Sequence, residues 1–128
     1  MRRTLDTGMR FVFALAFALA AQAVRADDDV AHGEKKFEEC AACHKLQRGE
    51  DSVGPSLYGV FGRQAGTLTD FRFSPAMKRS GITWYAKTLD TFLTDPQKVV
   101  PANRMPYAGL ADTKDRADLI AYLQKTFK

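Results

Sequence analysis

Both cysteines of this 128-residue chain fall within five positions, Cys40-Ala41-Ala42-Cys43-His44. Three ordinary uses of such a pair compete: a small disulfide loop, a thioredoxin-like redox dithiol and half of a zinc site. A structural zinc site needs about four ligands, and the only other histidine is His32. A redox dithiol belongs in a βαβ setting, which the sequence lacks. The pattern instead matches the attachment motif of a c-type haem. Two thiols at this spacing reach the two vinyl groups of one porphyrin, and His44, immediately after, can place an imidazole nitrogen on the iron. One motif predicts one haem c per chain, covalently attached through Cys40 and Cys43, with His44 as a metal ligand.

The N-terminal stretch supports an exported protein, as c-type haem attachment outside the cytoplasm requires. Residues 1–26 combine a basic start (Arg2, Arg3, Arg10), an apolar run from Phe11 to Val24 and Val24-Arg25-Ala26 ahead of Asp27, the pattern of a secretory signal peptide. The run is shorter than the roughly 20 apolar residues of a membrane span, and an uncleaved membrane anchor is the alternative reading. Cleavage after Ala26 is expected to release a periplasmic domain, residues 27–128. The formal charge of +4 is largely a property of this leader, because residues 27–128 hold 15 basic and 14 acidic side chains. That balance gives no footing for a nucleic-acid partner. A domain of this size builds a small core, and a cofactor is one way to complete it.

Helical signals lie at the two ends of this domain, with a Gly- and Pro-rich middle between them. A helix is expected from Asp28 to His44, opened by acidic residues that suit the positive end of its dipole. Gly49 to Gly66 reads as loop and 74–80 as a short helix. Thr83 is expected to cap a helix from Trp84 to Leu93, and Asp95-Pro96 to start a further turn. Asp112 is expected to cap a last helix whose stripe of Leu119, Ile120, Leu123 and Phe127 is buried. No strand alternation appears, so the predicted fold class is all-α.

The sixth position on the iron decides between electron carriage and ligand chemistry. His32 lies on the same predicted helix as His44, which cannot easily bring it to the other haem face; it reads as a solvated surface side chain. Met77 sits in a short helical context where methionine usually fills core. Met105 lies in Pro101-Ala102-Asn103-Arg104-Met105-Pro106, an extended segment stiffened by prolines, so little freedom is lost when its thioether is held against a metal. Met105 is therefore the expected sixth ligand. A filled site argues against an enzyme or a ligand sensor.

Taken together, Gly33-x-x-x-Phe37, Cys-Ala-Ala-Cys-His, Val53-Gly54-Pro55, Gly59-Val60-Phe61-Gly62-Arg63, Gly81-Ile82-Thr83-Trp84, Pro101 to Gly109 and Asp118-Leu119-Ile120-Ala121-Tyr122-Leu123 resemble the class I cytochrome c family over nearly all of residues 27–128. The resemblance implies the cytochrome c fold, helices wrapped around one haem. It implies that the Pro55 carbonyl accepts from the second ring nitrogen of His44, that Arg63 and Trp84 hold a haem propionate, and that Gly33 and Phe37 pack against Tyr122. It also implies a monomeric, non-enzymatic carrier of single electrons. Its donor would be a membrane cytochrome bc complex that oxidises quinol, and its acceptor a terminal oxidase, a photosynthetic reaction centre or a periplasmic reductase. Two departures stand out. Phe73 and Phe92 occupy positions where the family commonly has tyrosine, and Met77 one where asparagine is common, which predicts a drier crevice. Glu39, Gln97, Ala111 and Asp112 stand where strongly basic relatives carry lysine, leaving Lys45, Lys98 and Arg104, which predicts weak electrostatic steering.

Overall fold

The computed structural model describes residues 28–127; the leader and its cleavage position lie outside them. Five helices follow in order: α1 (Val30–Ala41), α2 (Pro75–Arg79), α3 (Ala86–Thr94), α4 (Pro96–Val99) and α5 (Thr113–Thr126). Among the described residues there is no strand, only one isolated antiparallel bridge between Gln64 and Thr83. The all-α expectation is met.

Each helix starts where a side chain can take up a free amide. Asp29 accepts from the His32 amide at the start of α1 and Ser74 from the Met77 amide at α2, where Pro75 occupies the first turn. Asp95 and Asp112 do the same for α4 and α5. The first helix begins at Val30 rather than Asp28, and two further boundaries differ from expectation. The first helix ends at Ala41 rather than His44, because the Cys40 carbonyl accepts from the amides of both Cys43 and His44 and closes the last turn. Thr83 is not a cap: α3 starts after Tyr85, where the Thr88 hydroxyl accepts from the Tyr85 amide at 2.8 Å and donates to the Thr83 carbonyl at 2.6 Å.

The core is organised by the crossing of α1 and α5. A Cβ on Gly33 would stand 2.0 Å from the Asp118 carbonyl oxygen, so only glycine lets the two backbones meet there. The Phe37 and Tyr122 rings pack beside this contact, 5.6 Å between centroids; Leu119, Ile120 and Leu123 are buried as expected, whereas Phe127, at the end of the stripe, is only half-buried. The long middle segment is tied by backbone pairing, with the Gly62 and Ala65 amides donating to the Trp84 and Ile82 carbonyls. This pairing carries residues 60–66 and Trp84 to one side of the cavity described next. Among the described residues no helix is long and apolar enough to cross a membrane.

Candidate haem site

The loops between the helices enclose a cavity of about 420 Å³, within the roughly 300–1,000 Å³ range of small-molecule and cofactor pockets. Cys40, Cys43, His44, Pro55, Arg63, Trp84 and Met105 all line it, although they are spread over 66 positions of sequence. Its floor is apolar, including Leu57, Val60, Phe92, Leu93, Leu119 and Leu123. A flat hydrophobic group of porphyrin size with two attachment points and one nitrogen ligand suits these walls.

His44 is held with one nitrogen engaged. Its Nδ1 lies 2.7 Å from the Pro55 carbonyl oxygen. A carbonyl only accepts, so Nδ1 carries the proton and Nε2 keeps its lone pair, the form that binds a metal. Burial lowers the pKa of the ring, with the Pro55 hydrogen bond opposing, so the neutral imidazole is favoured. Gly54 makes the placement possible, since a Cβ there would come within 2.5 Å of His44 Cε1. The loop itself is anchored by the Gly54 and Leu57 amides, which donate to the Cys43 and Lys45 carbonyls.

The cysteines are unpaired thiols in this cavity wall. Burial, with Glu39 and Cys43 adding, pushes the Cys40 thiol up to about 11. Reactive redox thiols have depressed values, and the direction at Cys40 is the opposite. Among the described residues no three His, Cys, Asp or Glu side chains converge as a metal site.

The Arg63 guanidinium is positioned from outside the cavity. It donates to the Tyr58 and Ser56 carbonyls at 2.9 and 3.1 Å, and burial lowers its pKa while Asp51 opposes that. Trp84 is buried and meets Phe92 edge-on at 5.0 Å. Phe73, Phe92 and Met77 line the same cavity, so the first of the two departures lies where the cofactor would sit. Met105 is half-buried, its amide 2.7 Å from Asn103 Oδ1.

Sequence reasoning missed two residues. Asn103, buried at the base of the Met105 segment, went unnoticed, although a polar amide between two prolines is a signal of an ordered turn. His32 departs from the solvated side chain that the sequence predicts. It is half-buried, with Nδ1 donating to Asp118 across the α1–α5 contact at 2.8 Å, and it does not line the cavity.

Known proteins give this site its setting. The cytochrome c family model matches residues 30–127. Cytochrome c2 iso-2 of Magnetospirillum fulvum is 50% identical over 88 residues, 69% of this chain and 92% of that protein. Cytochrome c2 of Blastochloris viridis is 39% identical over 117 residues, 91% of this chain and 92% of that protein. The solved structure of cytochrome cH from Methylobacterium extorquens superposes with a TM-score of 0.71 at 44% identity, covering 76% of this chain and 98% of that one. The chain belongs to the cytochrome c family, whose members carry a covalent haem c on a Cys-x-x-Cys-His motif, here Cys40 to His44, and move electrons rather than transform a substrate.

Proposed function

We propose that residues 27–128 form a periplasmic, monomeric carrier of single electrons whose haem iron is held by His44 and Met105. In this reading it takes electrons from a quinol-oxidising cytochrome bc complex and passes them to a terminal oxidase, a photosynthetic reaction centre or a periplasmic reductase. The observation that carries the reading is the His44–Pro55 hydrogen bond, which presents a neutral imidazole as a ligand in the cavity that Met105 also lines. The similarity to cytochromes c2 and cH supports the carrier role.

The haem supplies the one-electron couple of its iron. The chain's residues keep the surroundings of that couple constant. Pro55 orients His44 and increases its basicity. The Met105 thioether favours the reduced iron and raises the potential. Arg63, already fixed by two carbonyls, offsets the charge of a propionate, and Trp84 closes the same end against water. A packed crevice rearranges little when charge changes, so a haem held by Cys40, Cys43 and His44 would exchange electrons at low reorganisation cost.

An optical spectrum of the purified holoprotein tests the ligand set. Low-spin reduced bands together with a weak far-red sulfur-to-iron band in the oxidised protein are expected, and Met105→Ala is expected to abolish the far-red band. A native spectrum without that band, or rapid carbon monoxide binding to the reduced protein, would overturn the Met105 assignment. Intact mass of the native protein tests cleavage after Ala26, since a chain starting at Asp27 and carrying one haem has a definite mass.

A further inference from the structure

Gln97 is exposed and does not line the cavity, yet its side-chain nitrogen sits among three oxygens. The Asn103 carbonyl and Asn103 Oδ1 each lie at 3.1 Å and the Met105 carbonyl at 3.3 Å. Two N–H groups shared by three acceptors fix the orientation of this amide, because the flipped form would set oxygen against oxygen. Asn103 is fixed by the same logic. Its Oδ1 accepts from the Met105 amide and from Gln97, while Nδ2 donates to the Pro96 and Val100 carbonyls at 2.8 and 3.0 Å.

The segment held by this network also bonds within itself, around a strained residue. The turn from Val100 to Asn103 closes through the Asn103 amide and the Val100 carbonyl at 3.1 Å. It carries Ala102 at φ 65, the one non-glycine residue with positive φ among those described. With Pro101 preceding it, this is the third position of a type II turn, where glycine is preferred. The alanine stays there because surrounding contacts over-determine it. Gln97 reaches past the turn from another element to the Met105 carbonyl, which also accepts from the Tyr107 amide at 2.9 Å.

We propose that Gln97 is a positioning residue for the sixth ligand: by capping the Asn103 and Met105 carbonyls from the solvent side, it sets how readily the Met105 sulfur yields its place to a small exogenous nitrogen ligand. The proposal rests on the reading of Met105 as the iron ligand. It makes ligand exchange depend on an exposed side chain outside the cavity, and it gives Gln97 a role other than that of a missing surface charge.

The test titrates the oxidised holoprotein with imidazole while the far-red sulfur band is followed. Gln97→Met puts a methyl group where the amide nitrogen stands, and Gln97→Glu puts an oxygen there. Gln97→Arg keeps an N–H donor at the same bond from Cδ. The Met and Glu variants are expected to bind imidazole about three- to tenfold more tightly, the factor that corresponds to one lost hydrogen bond. The Arg variant should stay within about twofold of native. Amide exchange at Met105 should quicken in the same order.

If Gln97→Met binds imidazole as the native protein does while Met105→Ala lacks the far-red band, the clamp is refuted and the ligand reading stands. Equal shifts in all three variants, matched by equal losses of urea stability, would also refute it, because they would mark general loosening. A native protein without the far-red band overturns the ligand reading and the clamp with it.

Discussion

The Nδ1 atom of His32 lies 2.8 Å from Oδ2 of Asp118, joining the first turn of α1 to the middle of α5 across 86 positions of sequence. The Asp118 side chain is 1% exposed. It also accepts from the Asp29 amide at 2.7 Å and from the Lys114 ammonium. Beside it, Lys36 pairs with Asp115 at 2.7 Å. The two terminal helices are therefore joined twice over, by apolar packing inside and by a polar latch along the edge of the crossing.

The latch makes stability depend on acid. Burial would raise the Asp118 carboxyl, but the hydrogen bonds from Lys114, His32 and the Asp29 amide outweigh it and hold the pKa at about 2. An unfolded aspartate titrates near 4. A folded value below the unfolded one contributes stability that is complete above about pH 4 and is lost as pH falls toward 2. Urea midpoints measured across that window should decline in the native protein. In Asp118→Asn the decline should be shallower and the midpoint at neutral pH lower; an unchanged acid slope would count against the latch.

Gly33→Ala should be among the most damaging small substitutions in the chain. The new methyl group would meet the Asp118 carbonyl oxygen at 2.0 Å and its carbon at 2.5 Å. These are backbone atoms that cannot rotate away, so α1 and α5 must part. Overpacking of this kind costs about 1–3 kcal/mol, occasionally more, and here the upper end is expected. A lower urea midpoint at constant m value checks it.

These two sites show what was legible in the sequence. Gly33, Phe37 and Tyr122 could be placed at a helix crossing because a known motif pairs them, and the CAACH run announced its own chemistry. His32 could not be placed. Helical spacing tells which residues of one element share a face, but not which side chain of a distant element will meet them, and Asp118 is 86 positions away. Asn103 was hidden for a related reason, since its partners Pro96 and Val100 become neighbours only after Pro101 and Ala102 turn the chain back. The start of α3 was misplaced by two residues because a threonine was expected to cap through its own hydroxyl, whereas Thr83 contributes its carbonyl.

Met77→Asn should destabilise the holoprotein. Met77 is buried in the core beside the cavity, and its amide and carbonyl already bond to Ser74 and Ser80. An amide at its side-chain position needs partners, and the nearby cavity wall of Phe73, Trp84 and Phe92 has few to give. An unsatisfied buried amide costs about 1–3 kcal/mol, unless a water enters with it, and a buried water needs two to four polar contacts of its own. A crystal structure of the native holoprotein should show no ordered water beside Met77, and the urea midpoint of the variant should fall.

Reaction with a redox partner should slow only weakly as salt rises. The cavity lining includes Arg72 and Arg104 but also Glu39, together with Pro106, Tyr107 and the 69% exposed Val53. Asp112 adds a second negative charge where strongly basic relatives have lysine, and its carboxylate is committed to capping α5. Steering grows with the excess of one sign over a Debye length of about 10 Å at 0.1 M salt. With both signs around the cavity the excess is small, and close apolar contact is left to select the partner. Stopped-flow rate constants measured with a purified partner complex should therefore fall by no more than about threefold from low salt to about 0.15 M, whereas strongly steered pairs gain on the order of 10- to 1,000-fold from their charges. A steep fall would mean that Lys45, Lys98 and Arg104 act together as a basic docking ring, and replacing each by glutamine would then flatten the dependence in turn.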